Sequence, residues 1–333
     1  MKSKMLVTGA AGFIGSEFVR QSAKKGYKIV AIDKLTYAGS LERLKALGNK
    51  YKFYKNDICD KKIISNIFKR ERPDIVINFA AETHVDRSIQ DATPFIKTNI
   101  EGVQVLLDIS RKIKVKKFIQ ISTDEVYGEI KKGKFTEQDS LQPNSPYAAS
   151  KASADLLVKA YMRTYNFPAI IIRPCNNYGP WQYPEKFIPV VILKALKNKK
   201  VPVYGNGTNR REWLYVGDCA RGIARVIGTG KIGQIYNLGS SYEAKNIDLA
   251  KEIIYMLGKS CSLVDFVKDR LGHDFRYCLD YSKLSELGWK PLVNFNEGIN
   301  KTLDWYIDNC NWLEEKVKYL KSYWRQVYKP NNN

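Results

Sequence analysis

The sequence predicts an α/β fold, a doubly wound parallel sheet followed by a smaller C-terminal domain, on three observations. Short apolar, β-branched runs alternate with amphipathic helical stretches through residues 1–173. The first run ends in a glycine-spaced turn that opens a helix, and later runs end in small, hydroxylated or acidic residues, so the polar groups gather along one sheet edge. Beyond Pro174 the alternation loosens into turn formers and aromatics, which divides the chain into 1–173, joined by some later segments, and 174–330.

Lys4 to Thr8 form the first strand, and Thr8-Gly9-Ala10-Ala11-Gly12-Phe13-Ile14-Gly15 leads from it into a helix reaching about Lys25. In this TGxxGxxG spacing Gly9 makes the tight turn, Gly12 lets a pyrophosphate approach the helix N-terminus, and Gly15 lets helix and strand pack closely. The second strand, Tyr27 to Ile32, ends in Asp33, eighteen residues beyond Gly15, where a carboxylate accepts from both hydroxyls of an adenosine ribose. A 2'-phosphate would sit against that carboxylate, so the expected cofactor is NAD and the unit is Rossmann-type. A helix near Leu41 to Leu47, a strand from Tyr51 to Tyr54 and a helix from Asp60 to Arg70 come next. Asp57 between them either sits by the adenine or caps the helix. Asp74 to Phe79 is the fourth strand, and the small Ala80 and Ala81 at its end allow close approach of the cofactor. Pro94 to Lys112 reads as one long helix, Lys117 to Ile121 as the fifth strand, Pro146 to about Tyr165 as a helix, and Ala169 to Arg173 as the sixth strand. Cys175 to Pro184 and Pro202 to Gly207 read as loops, Gln234 to Leu238 as a segment returning to the sheet, and Pro330 to Asn333 as a disordered tail.

At 333 residues and 44% hydrophobic the chain has ample core. No tract is long and apolar enough to span a membrane, and the start has neither an h-region nor a cleavage site. Six scattered cysteines without CxxC spacing, and two histidines in all, argue against a metal site and for reduced thiols in the cytoplasm. The net charge of +21 invites a nucleic-acid reading, but the lysines are spread along the chain and form no stripe with aromatics. A lysine-rich surface that attracts anionic metabolites explains them better.

The chemistry is expected where Ile121-Ser122-Thr123-Asp124-Glu125-Val126-Tyr127-Gly128 leaves the fifth strand, together with Tyr147-Ala148-Ala149-Ser150-Lys151. The i, i+4 spacing sets the Tyr147 phenol and the Lys151 ammonium on one helical face. Taken with the glycine fingerprint and Thr123, these motifs resemble the extended short-chain dehydrogenase/reductase family. Within it the chain is similar to the dTDP-glucose 4,6-dehydratases, through Val7 to Ser16, Asp33 to Gly39, Ala80 to Ile89, Ser122 to Gly128, Ser145 to Ala154, Asn176 to Pro180, Pro184 to Pro189 and Arg211 to Tyr215.

The ammonium and the positive nicotinamide ring both stabilise a phenolate, so Tyr147 can take a proton from a sugar hydroxyl while hydride leaves C4, with Thr123 sharing the bond to that oxygen. C4 oxidation acidifies the C5 proton. Glu125 removes it, and protonated Asp124 gives its proton to the departing C6 hydroxyl. The resemblance implies these same roles, and further NAD contacts from Phe13, Ile14, Lys34, Leu35, Thr36, Asp57, Ile58, Thr98 and Asn177. For the nucleoside diphosphate sugar it implies Thr83, Asn176, Lys186, Pro202, Tyr204, Arg211 and Asn246 beside Asp124, and it implies a homodimer through the helices at Pro94 to Lys112 and Pro146 to Tyr165. An epimerase needs no acid for a leaving hydroxyl, and a binding protein needs none of the five catalytic groups. Arg173-Pro174, Trp181, and the run Arg270-Leu271-Gly272-His273-Asp274-Phe275-Arg276-Tyr277 depart from the commonest family forms. These departures leave UDP- or GDP-linked hexoses or N-acetylhexosamines as alternative substrates.

Overall fold

The computed structural model describes residues 3–328; the expected tail, Pro330 to Asn333, lies outside them. The N-terminal part runs β1 (Lys4–Thr8), α1 (Phe13–Lys24), β2 (Lys28–Asp33), a 3-10 turn (Leu41–Leu47), β3 (Tyr51–Lys55), α2 (Lys61–Glu71), β4 (Ile75–Asn78), α3 (Val85–Gln90), α4 (Thr93–Ile96), α5 (Gly102–Ile113), β5 (Lys117–Ile121), α6 (Pro146–Tyr165) and β6 (Ala169–Pro174). Then follow β7 (Asn176–Tyr178), α7 (Phe187–Leu196), β8 (Val201–Tyr204), β9 (Arg210–Tyr215), α8 (Val216–Thr229), β10 (Ile235–Leu238), β11 (Glu243–Lys245), α9 (Asn246–Met256) and β12 (Val264–Val267). The C-terminal helices are α10 (Ser282–Ser285), α11 (Phe295–Asp308), α12 (Cys310–Lys318) and α13 (Lys321–Val327).

Runs such as Met-Leu-Val, Ile-Val-Ala-Ile and Ala-Ile-Ile-Ile are buried on both faces, which only a covered parallel sheet provides. Seven strands pair in the order β10-β6-β5-β4-β1-β2-β3, every neighbour parallel. The chain builds outward from β1 to β3, then crosses back to β4 and builds the other way, so the crevice opens between β1 and β4. In-register pairs Thr8 with Ile32 and Asn78, and Ile121 with Ile172, bring the strand ends level. Inside that edge Thr8 Oγ1 donates to Asn78 Oδ1 at 2.5 Å, and Asn78 Nδ2 to Gln120 Oε1 at 2.9 Å.

One sheet face is covered by α1 and α8 through Phe18, Val19, Ile223 and Val226, and the other by α2, α5 and α6 through Phe68, Leu106 and Val158. A second lobe packs α7, α9 and α11 to α13 around β8, with Ile192, Ile253, Leu303 and Trp324 in its core. The segment at 234–238 returns to the large sheet as β10, paired with β6.

Four elements differ from the sequence expectation. The long helix from Pro94 is interrupted by a π turn over Lys97–Glu101, and the Leu41–Leu47 helix is a 3-10 turn. Pro202 to Gly207 is a loop only from Gly205. Val201–Tyr204 is a strand parallel to β12 in a two-stranded sheet, whose open edge tolerates a residue without an N–H. Within the Cys175 to Pro184 loop, Asn176–Tyr178 likewise pairs with β9. No helix among the described residues is long and apolar enough to cross a membrane.

Candidate active site

The glycine turn is built by close approach. A Cβ on Gly9, at φ +63°, would lie 2.6 Å from Ala80 N, and one on Gly15 would lie 2.2 Å from Gly9 O, so turn, β4 end and α1 are packed backbone to backbone. Gly12 begins α1 with no side chain capping it, which leaves the helix start to an anion. Asp33 receives Ala11 N at 2.9 Å and Leu35 N at 2.8 Å, and burial raises its pKa. The cleft is lined by Gly9, Gly12, Phe13, Ile14 and Gly15, then by Asp33, Lys34, Thr36, Asp57 and Ile58, and across it by Ala80, Ala81, Thr98 and Asn177. Leu35 is not part of the lining; at φ +57° it turns the chain so that its N–H meets Asp33. Asp57 pairs with Lys34 Nζ at 2.7 Å, and the cap of α2 is Asp60, which accepts from Ile63 N at 3.0 Å. The helix-cap reading of Asp57 is thereby overturned. The residues fit a dinucleotide. The turn carries backbone donors, a carboxylate stands at the end of β2, and Asn177 Oδ1 in the lining has no hydrogen-bond partner.

Thr123, in extended conformation, caps a 3-10 turn over Asp124–Tyr127 as the chain leaves β5. Its hydroxyl donates to Asp124 Oδ1 at 3.1 Å and accepts from Glu125 N at 3.3 Å. Opposite, Ser145 caps α6 by accepting from Ala148 N, Pro146 occupies the first turn, and Tyr147 and Lys151 are buried in the cleft wall. Lys151 Nζ donates to Ile121 O at 2.7 Å, and burial lowers its pKa to about 8. Burial and the neighbouring Glu125 push the Tyr147 phenol up, which the Thr123 hydroxyl partly opposes.

The two carboxyls differ in environment. Asp124 is 2% exposed, and burial, Glu125 and Glu212 hold its pKa well above the usual carboxylate range. Glu125 is also raised by burial, but Arg270, Arg211 and Lys186 oppose the shift. Asp124 Oδ2 and Glu125 Oε2 have no hydrogen-bond partner. The arrangement thus offers one carboxyl that keeps its proton beside one that gives it up more readily.

Of the residues expected to hold the sugar nucleotide, Thr83, Asn176 and Lys186 line this cleft with Asp124, and Lys186 Nζ donates to Thr83 O at 3.1 Å. The structure does not bring Pro202, Tyr204, Arg211 or Asn246 into that lining. Pro202 lines a separate cavity edged by Lys194, Lys197 and Lys200. Tyr204 donates to Asp86 Oδ2 at 3.1 Å, and Arg211 donates to the Asp274 carbonyl at 2.9 Å while lying 4.4 Å from the Tyr277 ring. Asn246 opens α9, its N–H held by Asn209 O. His273 Nδ1 donates to Asp269 Oδ1 at 2.6 Å and its ring meets Tyr204 edge-on, while Leu271 and Phe275 are exposed.

Sequence reasoning gave no role to a cluster beside the cleft. Buried Glu185 accepts from Tyr37 at 2.9 Å and from Arg87 Nε at 3.1 Å, and the Arg87 guanidinium sits 4.2 Å from the Tyr37 ring and 4.3 Å from that of Tyr323. Tyr37, Arg87 and Glu185 each fall inside a matched motif, which marks the residues but not that they meet. Arg43 was missed as well, and it falls in none.

The family model for GDP-mannose 4,6 dehydratase matches residues 6–302. A low-salt glycan biosynthesis protein of Haloferax volcanii is 46% identical over 91% of this chain and 98% of its own length. The dTDP-glucose 4,6-dehydratase of Escherichia coli is 45% identical over 93% of this chain and 95% of its own. Among solved structures, a dTDP-glucose 4,6-dehydratase from Streptomyces venezuelae with NAD and TYD bound is 43% identical, superposes with a TM-score of 0.92, and covers 94% of this chain and 99% of its own.

Proposed function

The chain belongs to the NAD-dependent nucleotide-sugar 4,6-dehydratases of the extended short-chain dehydrogenase/reductase family, and from that membership we propose that it converts dTDP-glucose to dTDP-4-keto-6-deoxyglucose and water. The observation that carries this reading is the Asp124-Glu125 pair beside Thr123 and Tyr147, the aspartate buried and the glutamate half-buried, with its two carboxyls in unequal surroundings.

NAD held by the glycine turn, Asp33 and Asn177 would supply a hydride acceptor for C4 and a hydride donor for C6, and so would be regenerated in each turnover. Tyr147 removes the proton of the C4 hydroxyl, and the Thr123 hydroxyl holds the same oxygen. Lys151 places positive charge one helical turn from the phenol. Glu125 takes the C5 proton that C4 oxidation has made acidic, and Asp124, kept protonated by burial, delivers its proton to the leaving C6 oxygen; Glu125 then gives its proton back to C5 as C6 takes the hydride, and the proton that Tyr147 gained from the C4 hydroxyl replaces the one Asp124 gave. Lys186, Arg211 and Arg270 surround Glu125 with positive charge, which favours its ionised form and an anionic substrate alike.

In this reading 1–173 bind NAD and 174–330 mainly hold the sugar nucleotide. Homodimerisation through α4 to α6 is supported by Ile96 and Leu156, which are 55% and 56% exposed on those helices. Six free thiols support a reducing, cytoplasmic setting.

The test is to incubate purified protein, without added NAD, with dTDP-, UDP-, GDP- and CDP-linked hexoses and to weigh the products. Loss of one water from dTDP-glucose is expected, and light scattering on the same preparation should give the mass of a dimer. No water loss from any sugar, with NAD supplied, would refute dehydration. Loss only from a UDP or GDP sugar would transfer the reaction to that substrate, and a monomer mass would refute the dimer.

A further inference from the structure

Arg43 lies in the Leu41–Leu47 turn, outside every motif that marks the family. Its side chain is among the largest that are fully buried, at 2% exposure, and no carboxylate among the described residues is within ion-pair distance of it. Its donors go to backbone carbonyls of three separate segments. Nη1 donates to Ala11 O at 2.7 Å and to Ala38 O at 2.6 Å, while Nε and Nη2 donate to Trp181 O at 3.2 and 2.9 Å.

Each segment belongs to the cofactor cleft or enters it. Ala11 is inside the glycine turn, Ala38 follows the Asp33 end of β2, and Trp181 follows β7 in the chain's second half. Trp181 holds φ +71°, unusual for a bulky residue, and its ring packs 4.6 Å from Trp305 and 5.5 Å from Trp312 in α11 and α12. A single guanidinium therefore fastens the adenosine side of the cleft to the C-terminal helices, and it lines the cleft itself.

Burial lowers its pKa to about 10, so it remains charged at neutral pH. Its hydrogen bonds all go to neutral carbonyls, and Asp33 and Glu42 offset its charge only from beyond ion-pair distance while Arg20 adds to it, so no paired carboxylate cancels the positive potential and the complementary ligand is an anion. NAD brings that anion as its diphosphate.

We propose that Arg43 is a positioning residue that retains NAD from one turnover to the next, by holding three segments of the cleft wall together and by setting a positive charge opposite the cofactor's diphosphate. The proposal rests on the dehydratase reading only in naming NAD as the ligand.

The test compares wild type, Arg43→Gln and Arg43→Lys in the full chain. NAD content is measured after desalting, and NAD affinity by calorimetry on cofactor-stripped protein. Wild type should keep most of its NAD, and Arg43→Gln should lose it and bind NAD at least ~10-fold more weakly. Arg43→Lys keeps the charge without the fork and should fall between. Added NAD should restore most of the Arg43→Gln turnover and leave the KM for the sugar nucleotide near wild type, a split that a general loss of structure would not produce. Arg43→Gln that retains NAD as wild type does, or lost turnover that saturating NAD fails to restore, would overturn the proposal. If Arg43→Gln does not fold, hydrogen exchange on wild type decides. NAD should protect amides both around Ala38 to Arg43 and around Tyr178 to Gln182, and no change in the second group would overturn it. Wild type that holds NAD but dehydrates no sugar would refute the dehydratase reading alone.

Discussion

At the scale of single residues, the site sets two carboxyls of one turn apart by their surroundings. Asp124 is closed off from water, whereas Glu125 faces three cations. The expected pH profile of dehydration is a bell. Its acid limb is the protonation of Glu125 and its alkaline limb the loss of the Asp124 proton, read as apparent values of a coupled pair. Asp124 also affects stability. Its folded pKa lies above the unfolded one, so the stability it contributes is full below the ordinary aspartate range and is lost as pH rises through the raised value. Asp124→Asn, neutral at every pH, escapes that loss. It should stabilise the cofactor-free protein at neutral pH by an amount on the order of 1 kcal/mol, seen as a raised thermal midpoint, while dehydration falls by roughly 10²–10⁴. Calorimetry and product mass check both; a lowered midpoint would mean that Asp124 is ionised in the fold. The residues of this pair, with the glycine turn, Asp33, Tyr147 and Lys151, were legible because their spacing is local. Arg43 was not, because an arginine in a short amphipathic stretch reads as a solvated charge. Its role is created by a carbonyl 138 positions away.

At the scale of elements, the π turn over Lys97–Glu101 does what an uninterrupted helix could not. It turns Asn99 inward, where it accepts from Glu82 N at 2.9 Å and donates to Glu82 O at 3.0 Å and to Ser150 Oγ at 2.8 Å. One side chain thus ties the segment after β4 to the helix that carries Tyr147 and Lys151. Asn99→Leu would strand these buried groups and should destabilise the fold by about 2–3 kcal/mol. NAD affinity should fall with it, because Thr98 beside it lines the cleft. Urea unfolding and calorimetry give the two numbers, and a change under about 0.5 kcal/mol would deny Asn99 this role. Apolar periodicity located the helix but carried no trace of the extra residue per turn, since the cause is tertiary. The strand at Val201–Tyr204 was misread for a related reason: Pro202 signals a break unless the strand has an open edge, and pairing with β12 supplies one.

At the scale of the whole molecule, the alternation of strand and helix made the sheet legible, and the return of 234–238 to it was expected, with Ile235, Tyr236 and Leu238 as its apolar residues. The Tyr37–Arg87–Glu185–Tyr323 cluster was not readable as one unit, because the Tyr37–Glu185 hydrogen bond spans 148 positions and is set by how the lobes meet. The seventh strand also governs the order of events during synthesis. When a ribosome has released only the first six strands, the outer edge of β6 is an unpaired row of amides and carbonyls, and Phe18 and Val19 lack the cover of α8. Both are supplied only once Leu238 has emerged, so the cofactor-binding half is expected not to mature ahead of the rest. A chain ended at residue 173 should therefore precipitate or be captured by chaperones, and restoring residues through 238 should be needed for a protected sheet in hydrogen exchange. A soluble, cooperatively folding 1–173 fragment would show that the edge is harmless. Otherwise nascent chains of this protein pass through a window in which strand-to-strand association with one another competes with completion of the sheet, and that window lasts as long as the ribosome takes to travel from β6 to β10.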